Sequence, residues 1–295
     1  MKRLDKVRRC VRLPGNVRGR DFVVGDLHGH RALLERQLDR LGFDASSDRV
    51  LCVGDLIDRG PDSVGTLSLL DEPWFHAVLG NHELMLLNYL RRYDSAVHSR
   101  KAFAAGGGGW IVRALKRDRR SMHRLADAVA ALPLVIHVEG DLPFNVMHSD
   151  LHPIGVRQDA LMAGGRVCVH QADIATASRI NSSVTIKEAM LELPFADRPV
   201  RLSRTPIGEL PISYVGHSRM RCVTVHRSYV YIDQGVRVPS SRNPVPVPPT
   251  VLEHRSFGYW LLGVARAHGH EERPSSETPL DASVLPLPAT DSSER

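Results

Sequence analysis

The chain has 295 residues, 42% hydrophobic and 24% charged, which excludes wholesale disorder and allows a full core without disulfides or a metal for stability alone. Its 39 Lys and Arg against 33 Asp and Glu leave a net charge of +6. The longest apolar stretches, such as Tyr259–Ala265, are far short of the roughly 20 residues that span a bilayer, and no apolar segment follows the basic start as a secretory signal requires.

Residues 1–20 read as a basic N-terminal arm: Lys2, Arg3, Lys6, Arg8, Arg9, Arg12, Arg18 and Arg20 stand against Asp5 alone. A second cluster holds Arg113, Lys116, Arg117, Arg119, Arg120 and Arg124. Solvated surfaces account for both. No aromatic residues interleave the first, as a single-strand binding surface needs, and no recognition motif is present, so a nucleic-acid partner is not expected. Cys10, Cys52, Cys168 and Cys222 form no C-x-x-C pair. Free thiols in a reducing cytoplasm, with no membrane partner, are the expectation.

Residues 21–235 read as the folded domain. Phe22–Gly25 is a short apolar run ended by glycine, as in a buried strand, and Leu33, Leu34, Leu38 and Leu41 come next at helical spacing. Val50–Val53 precedes a helix carrying Val64, Leu67 and Leu70, with Pro61 near its start. Phe75–Leu79 leads into a helix with Leu84, Leu87 and Leu90. The strand–helix repeat predicts an α/β core. Gly106–Gly109 predicts a loop and Ala126–Leu132 a helix. Leu134–Val138, Phe144–Met147, Ile212–Val215 and Tyr229–Ile232 predict strands, so a mixed sheet or a two-sheet sandwich fits better than an all-parallel sheet. Residues 236–295 form a Pro-rich C-terminal extension: five prolines fall within residues 239–249, residues 251–266 regain apolar content and can pack back on the domain, and 271–295 predict a disordered tail.

The residues at the exits of the apolar runs carry the chemistry. Asp26 and His28 stand after the first run, Asp55, Asp58 and Arg59 after the second, Asn81, His82 and Glu83 after the third, His148 and Asp150 after a later run, and His217 after the last. Glycine stands directly before the first of these residues at four of the five. Strand carboxyl ends are where open α/β sheets place their sites, and Asp, Asn and His are ligands for manganese, iron or zinc. Asp26, His28 and Asp55 suffice for one ion, and Asp55, Asn81, His148 and His217 for a second, with Asp55 the bridge. Asn81 alone would read equally well as a helix cap. His152, His170 and His226 receive no role.

Asp26-Leu-His28-Gly29, Gly54-Asp55-Leu-Ile-Asp58-Arg59-Gly60 and Gly80-Asn81-His82-Glu83 resemble the signature blocks of the phosphoprotein phosphatase branch of the calcineurin-like metallophosphoesterases, in particular the phage lambda and bacterial serine/threonine phosphatases. The resemblance covers roughly residues 18–235, with looser blocks at Gly107-Gly-Gly-Trp110, Met147-His148-Ser-Asp150, Gly216-His217-Ser218 and Tyr231-Ile-Asp233. It implies a mixed α/β fold, a β-sandwich flanked by helices with a dinuclear metal site at the strand ends. It implies two divalent ions, with manganese expected and iron or zinc as alternatives, that activate a hydroxide for in-line attack on phosphorus. It further implies that His82 protonates the leaving oxygen, that Asp58 orients His82, and that Arg59 holds phosphate oxygens.

The chain departs from that branch twice. Leu79 stands where an arginine usually precedes Gly-Asn-His, and a downstream phosphate-binding arginine aligns with Ala177; Arg157, Arg166, Arg179 and Arg219 are the candidates to replace them. Leu79 instead resembles the dinucleoside tetraphosphate hydrolases, a sister branch that commonly lacks Asp58 and has Asp in place of Glu83. The leading expectation is a serine/threonine phosphatase, with dual specificity open, acting on phosphoprotein or phosphopeptide. The alternatives are hydrolysis of a dinucleoside polyphosphate such as Ap4A and a low-turnover phosphate-binding scaffold.

Overall fold

A computed structural model describes residues 10–90, 100–150, 190–196, 198–203, 211–238 and 245–267. Residues 1–9, Cys168, His152, His170, Ala177, the candidate arginines Arg157, Arg166 and Arg179, and the 271–295 tail lie outside the described residues.

After β1 (Cys10–Leu13), the strand–helix repeat expected from the apolar runs is present as β2 (Asp21–Val24), α1 (Arg31–Arg40), β3 (Arg49–Cys52), α2 (Ser63–Ser68), β4 (Phe75–Ala77) and α3 (Asn81–Tyr89). Helices α4 (Arg100–Ala105), α5 (Trp110–Arg117) and α6 (Arg119–Ala130) come next. The second half is strand-rich, as predicted: β5 (Val135–Val138), β6 (Phe144–Met147), β7 (Met190–Phe195), β8 (Arg198–Ser203), β9 (Ile212–Val215), β10 (Val223–His226), β11 (Tyr229–Tyr231) and β12 (Val251–Glu253), then α7 (His254–Ala267).

Among the described residues these strands form two sheets. One has four strands in the order β12-β2-β3-β4, with the last three parallel. The other is mixed, with eight strands in the order β1-β5-β6-β9-β11-β10-β8-β7. Period-two alternation explains how they stack. Phe22 and Val24 of β2 and Val50 and Cys52 of β3 pack with Leu34 and Leu38 of α1, Leu67 of α2 and Leu84 and Leu87 of α3. Their neighbours Val23 and Leu51 belong to a second cluster, with Val146, Tyr214, Val225 and Val230 of the larger sheet. The smaller sheet therefore has helices on one face and the larger sheet on the other, which is the expected sandwich.

Two segments outside the 21–235 stretch belong to this framework. Cys10–Leu13, within the basic arm, pairs in parallel with β5 at one edge of the larger sheet. Val251–Glu253 pairs with β2, and Phe257 and Leu261 of α7 join the inter-sheet cluster. The second basic cluster is exposed on α5 and α6, and Arg124 pairs with Asp71 at 2.8 Å. No helix among the described residues is long and apolar enough to cross a membrane.

Candidate active site

The turns after β2, β3, β4, β6 and β9 converge at one edge of the sandwich. The parallel register explains why: Val24 lies beside Cys52 and Cys52 beside Ala77, so the strands end level and their turns meet. Approach is close enough to constrain residue type. A Cβ on Gly216 would collide with the Asp26 carboxylate. His28, Asp55, Asp58, Arg59 and His217 all have positive φ, between 41° and 73°.

Asp55 is central. Its Oδ1 lies 3.4 Å from His148 Nε2, and its Oδ2 lies 3.8 Å from both His28 Nε2 and His82 Nε2. Asp26 Oδ2 is 4.0 Å from His28 Nε2, and its carboxylate accepts from the His217 backbone N–H at 3.2 Å. Asn81 Oδ1 lies 3.0 Å from His148 Nε2 and 2.9 Å from His217 Nδ1. Asn81 is thus turned into the cluster, while the Gly80 N–H at the start of α3 donates to Glu83. Two groups have ligand atoms within 4.8 Å of one another: His28, Asp55 and His82, and Asp55, His148 and His217. Asp55 is common to both. The sequence partition has Asp26 in place of His82 in the first.

Burial and charge tune these groups. Burial holds Asp26 well above the usual carboxylate range, aided by the charges of Asp233 and Asp55. Burial also works against ionised Asp55, but the surrounding imidazoles, His148 foremost, outweigh it and keep the carboxylate charged. His28 is pushed down to about 3 by burial and is therefore neutral. Its Nδ1 faces the Ile57 carbonyl at 3.0 Å and that of His148 faces the Val53 carbonyl at 2.7 Å. Each Nδ1 must carry the proton, which leaves each Nε2 as an inward lone pair. Carboxylates, imidazole nitrogens and an amide oxygen converging from five turns are a donor set that fits divalent cations of the manganese, iron and zinc type.

A second constellation lies beside it. His82 Nδ1 donates to Asp58 Oδ2 at 2.6 Å, and both side chains are buried. Burial lowers the imidazole pKa, but Asp55 and Asp58 outweigh this and raise it overall. Arg59 directs one guanidinium nitrogen to His28 Nε2 at 2.6 Å and the other to His82 Nε2 at 3.0 Å, so it lies across the front of both. Glu83 is fully buried and accepts from the backbone N–H groups of Asp55, Leu56 and Gly80 at 2.9–3.0 Å. Burial, with the Asp55 charge, pushes its carboxyl up to about 8.

Asp26, His28, Asp55, Asp58, Arg59, Asn81, His82, Glu83, His148 and His217 thus lie in one cluster, and Asp150 accepts from the Tyr231 hydroxyl at 3.1 Å. Trp110, noted only as part of a loose motif, donates its indole N–H to Asp58 Oδ1 at 2.6 Å, a contact across 52 residues of chain that no local periodicity announces. Leu79 is fully buried among core side chains. Arg219, the one candidate replacement arginine among the described residues, donates to the Gly235 carbonyl at 3.1 Å.

Residues 22–187 match the calcineurin-like phosphoesterase family. The chain is 35% identical over 130 residues to serine/threonine-protein phosphatase 2 of Escherichia coli strain K12, covering 44% of this chain and 57% of that protein. It is 47% identical over 68 residues to the symmetrical bis(5'-nucleosyl)-tetraphosphatase of Dechloromonas aromatica strain RCB, covering 22% of this chain and 25% of that one. It is 27% identical over 212 residues to the protein of that name from Pseudomonas fluorescens strain SBW25, covering 69% and 65%. The first curated relatives are thus matched over little more than half of their length. Because the family match spans more than half of the chain and contains the turns after β2, β3, β4 and β6, this protein belongs to the calcineurin-like phosphoesterase family.

Proposed function

We propose that the protein is a metal-dependent phosphoester hydrolase, and specifically a serine/threonine protein phosphatase, with phosphotyrosine as a further substrate in the dual-specificity case. The observation that carries this reading is the His82–Asp58 pair beside two potential metal groups that share Asp55. Asp26, His28 and Asp55 would hold one divalent ion, and Asp55, Asn81, His148 and His217 the other, with manganese the expected metal. When bound, the ions supply a nucleophile near neutral pH and a clamp on phosphoryl oxygens.

The chain's own residues do the rest. Arg59 turns its planar fork onto the phosphoryl oxygens. His82, held by Asp58 through Nδ1, presents Nε2 to the leaving oxygen and protonates it. Retention of Asp58 and Glu83 supports the protein phosphatase branch. Leu79 supports the second reading, a dinucleoside tetraphosphate hydrolase. The buried free thiols Cys52 and Cys222 suit a reducing, cytoplasmic setting.

The test is kcat/KM for a phosphopeptide and for Ap4A, side by side with Mn²⁺, using Asp55→Asn as blank. A large phosphopeptide advantage is expected. A large Ap4A advantage would move the protein to the sister branch. No turnover on either at full metal occupancy would leave the phosphate-binding scaffold.

A further inference from the structure

The run Gly106–Gly109 and the tryptophan after it have a place in the site that the metal groups do not explain. Gly107 has φ +106°, and a Cβ there would lie 2.7 Å from the Arg59 backbone nitrogen. The run therefore lies directly against the Asp58–Arg59 turn, whose two residues themselves have φ of 73° and 65°. A Cβ on Gly108 would collide with the Phe103 ring, and Phe103 is a buried core residue of α4. One side of the loop is thus seated on the core and the other on the turn. Trp110 begins α5 at the end of this loop and is packed partly into the helix-side core.

Asp58 has two carboxylate oxygens and one partner ring on each. Oδ2 accepts from His82 Nδ1 and Oδ1 accepts from Trp110 Nε1, both at 2.6 Å. An indole N–H can only donate, so Oδ1 must be an acceptor, and the carboxylate cannot rotate without losing one bond or the other. We propose that Trp110 is a positioning residue for proton delivery: it fixes Asp58, Asp58 fixes His82, and the glycine run sets the indole at the required distance. The chain of contacts is Trp110–Asp58–His82. This inference rests on the reading of His82 as the general acid.

Leaving-group dependence separates this role from a merely structural one. Phenyl phosphate needs a proton on its departing oxygen, whereas 2,4-dinitrophenyl phosphate expels a stable phenolate and does not. In the full chain loaded with Mn²⁺, Trp110→Phe keeps an aromatic ring and removes the donor. The expected result is a fall in kcat of about 10-fold or more on phenyl phosphate, with the roughly 10²–10⁴-fold worth of general acid catalysis as its ceiling, and little change on 2,4-dinitrophenyl phosphate and in KM. In an Asp58→Asn background the same substitution should have almost no further effect, because the indole acts through that carboxylate. Gly107→Ala, which presses on the Arg59 backbone, should lower kcat on both esters and add a further loss on phenyl phosphate with the indole intact.

Equal losses on both esters for Trp110→Phe and Gly107→Ala, or full additivity with Asp58→Asn, would overturn the proposal. His82→Ala is the reference. If it shows the split and the two loop variants do not, the role of Trp110 alone fails. If His82→Ala itself loses the same factor on both esters, the general-acid reading fails with it.

Discussion

Leu79 is where the sequence departs most visibly from the protein phosphatases it resembles, and its surroundings show what that departure means. The side chain has no exposure and packs in the cluster that contains Leu84, Leu86 and Leu87 of α3. Its backbone N–H donates to the Pro133 carbonyl at 2.8 Å, so the strand end is fixed from both sides. An arginine introduced there would have to bury a guanidinium without a partner or push the end of β4 outward. Leu79→Arg is therefore expected to destabilise the fold by about 3–5 kcal/mol and not to improve KM for a phosphopeptide. Urea melts and steady-state kinetics on the same preparation check both halves. A stable variant with lower KM would mean that the position is open to the site after all.

At the scale of elements, the site depends on the opposite ends of β2 and β3, where charged pairs set the register. Asp21 and Arg49 are register partners, and the guanidinium holds both carboxylate oxygens at 2.7 and 2.8 Å. Beside them, Asp48 accepts from the Arg20 backbone N–H and side chain at 2.7 Å and from the Asp44 N–H at 3.0 Å. Burial opposes the Asp48 charge, but these bonds outweigh it and depress the pKa. A depressed folded-state pKa adds stability above the unfolded value of about 3.9 and loses it as pH falls through the folded value. Asp48→Asn should therefore cost about 1–3 kcal/mol at pH 7, with the difference from the parent shrinking below about pH 4. A pH-independent cost would show that the charge itself contributes little. The strands these pairs align were legible because each is an apolar run closed by a glycine and a ligand. β7 and β8 were not. Glu192 and Pro194, and Pro199 and Arg201, alternate with their apolar residues, so neither segment forms an apolar run and the prolines argue against a strand, although at the margin of the larger sheet proline and charge are tolerated. β1 was hidden in the same way, as a short alternating stretch inside a basic run. The exits of the apolar runs likewise exposed the ligand turns, and the family resemblance implied the His82–Asp58 pair, but the indole that holds the other oxygen of Asp58 sits on another helix, where only the fold brings it near.

At the scale of the whole molecule, the sandwich holds in place an edge that is unfavourable by itself. Five non-glycine residues of the candidate site have positive φ, each of which costs about 1–3 kcal/mol when the surroundings impose it. Asp26, Asp55 and Asp233 also place buried carboxyl groups near one another, and burial and mutual repulsion raise the pKa of Asp26. A divalent ion that binds the folded chain alone opposes this cost by mass action, about 2.7 kcal/mol at one hundred times its Kd. At about 2–4 °C per kcal/mol for a domain of 150–250 residues, Mn²⁺ should raise Tm by about 5–10 °C, and a chelator should reverse the shift. Asp26→Asn separates the two effects. An asparagine oxygen can still accept from the His217 N–H, but it removes a charge that only a cation makes favourable. The metal-free variant should therefore melt at or above the parent, while its gain on adding Mn²⁺ should be smaller. A variant that melts lower without metal and keeps the full Mn²⁺ response would mean that Asp26 supports the fold and holds no ion.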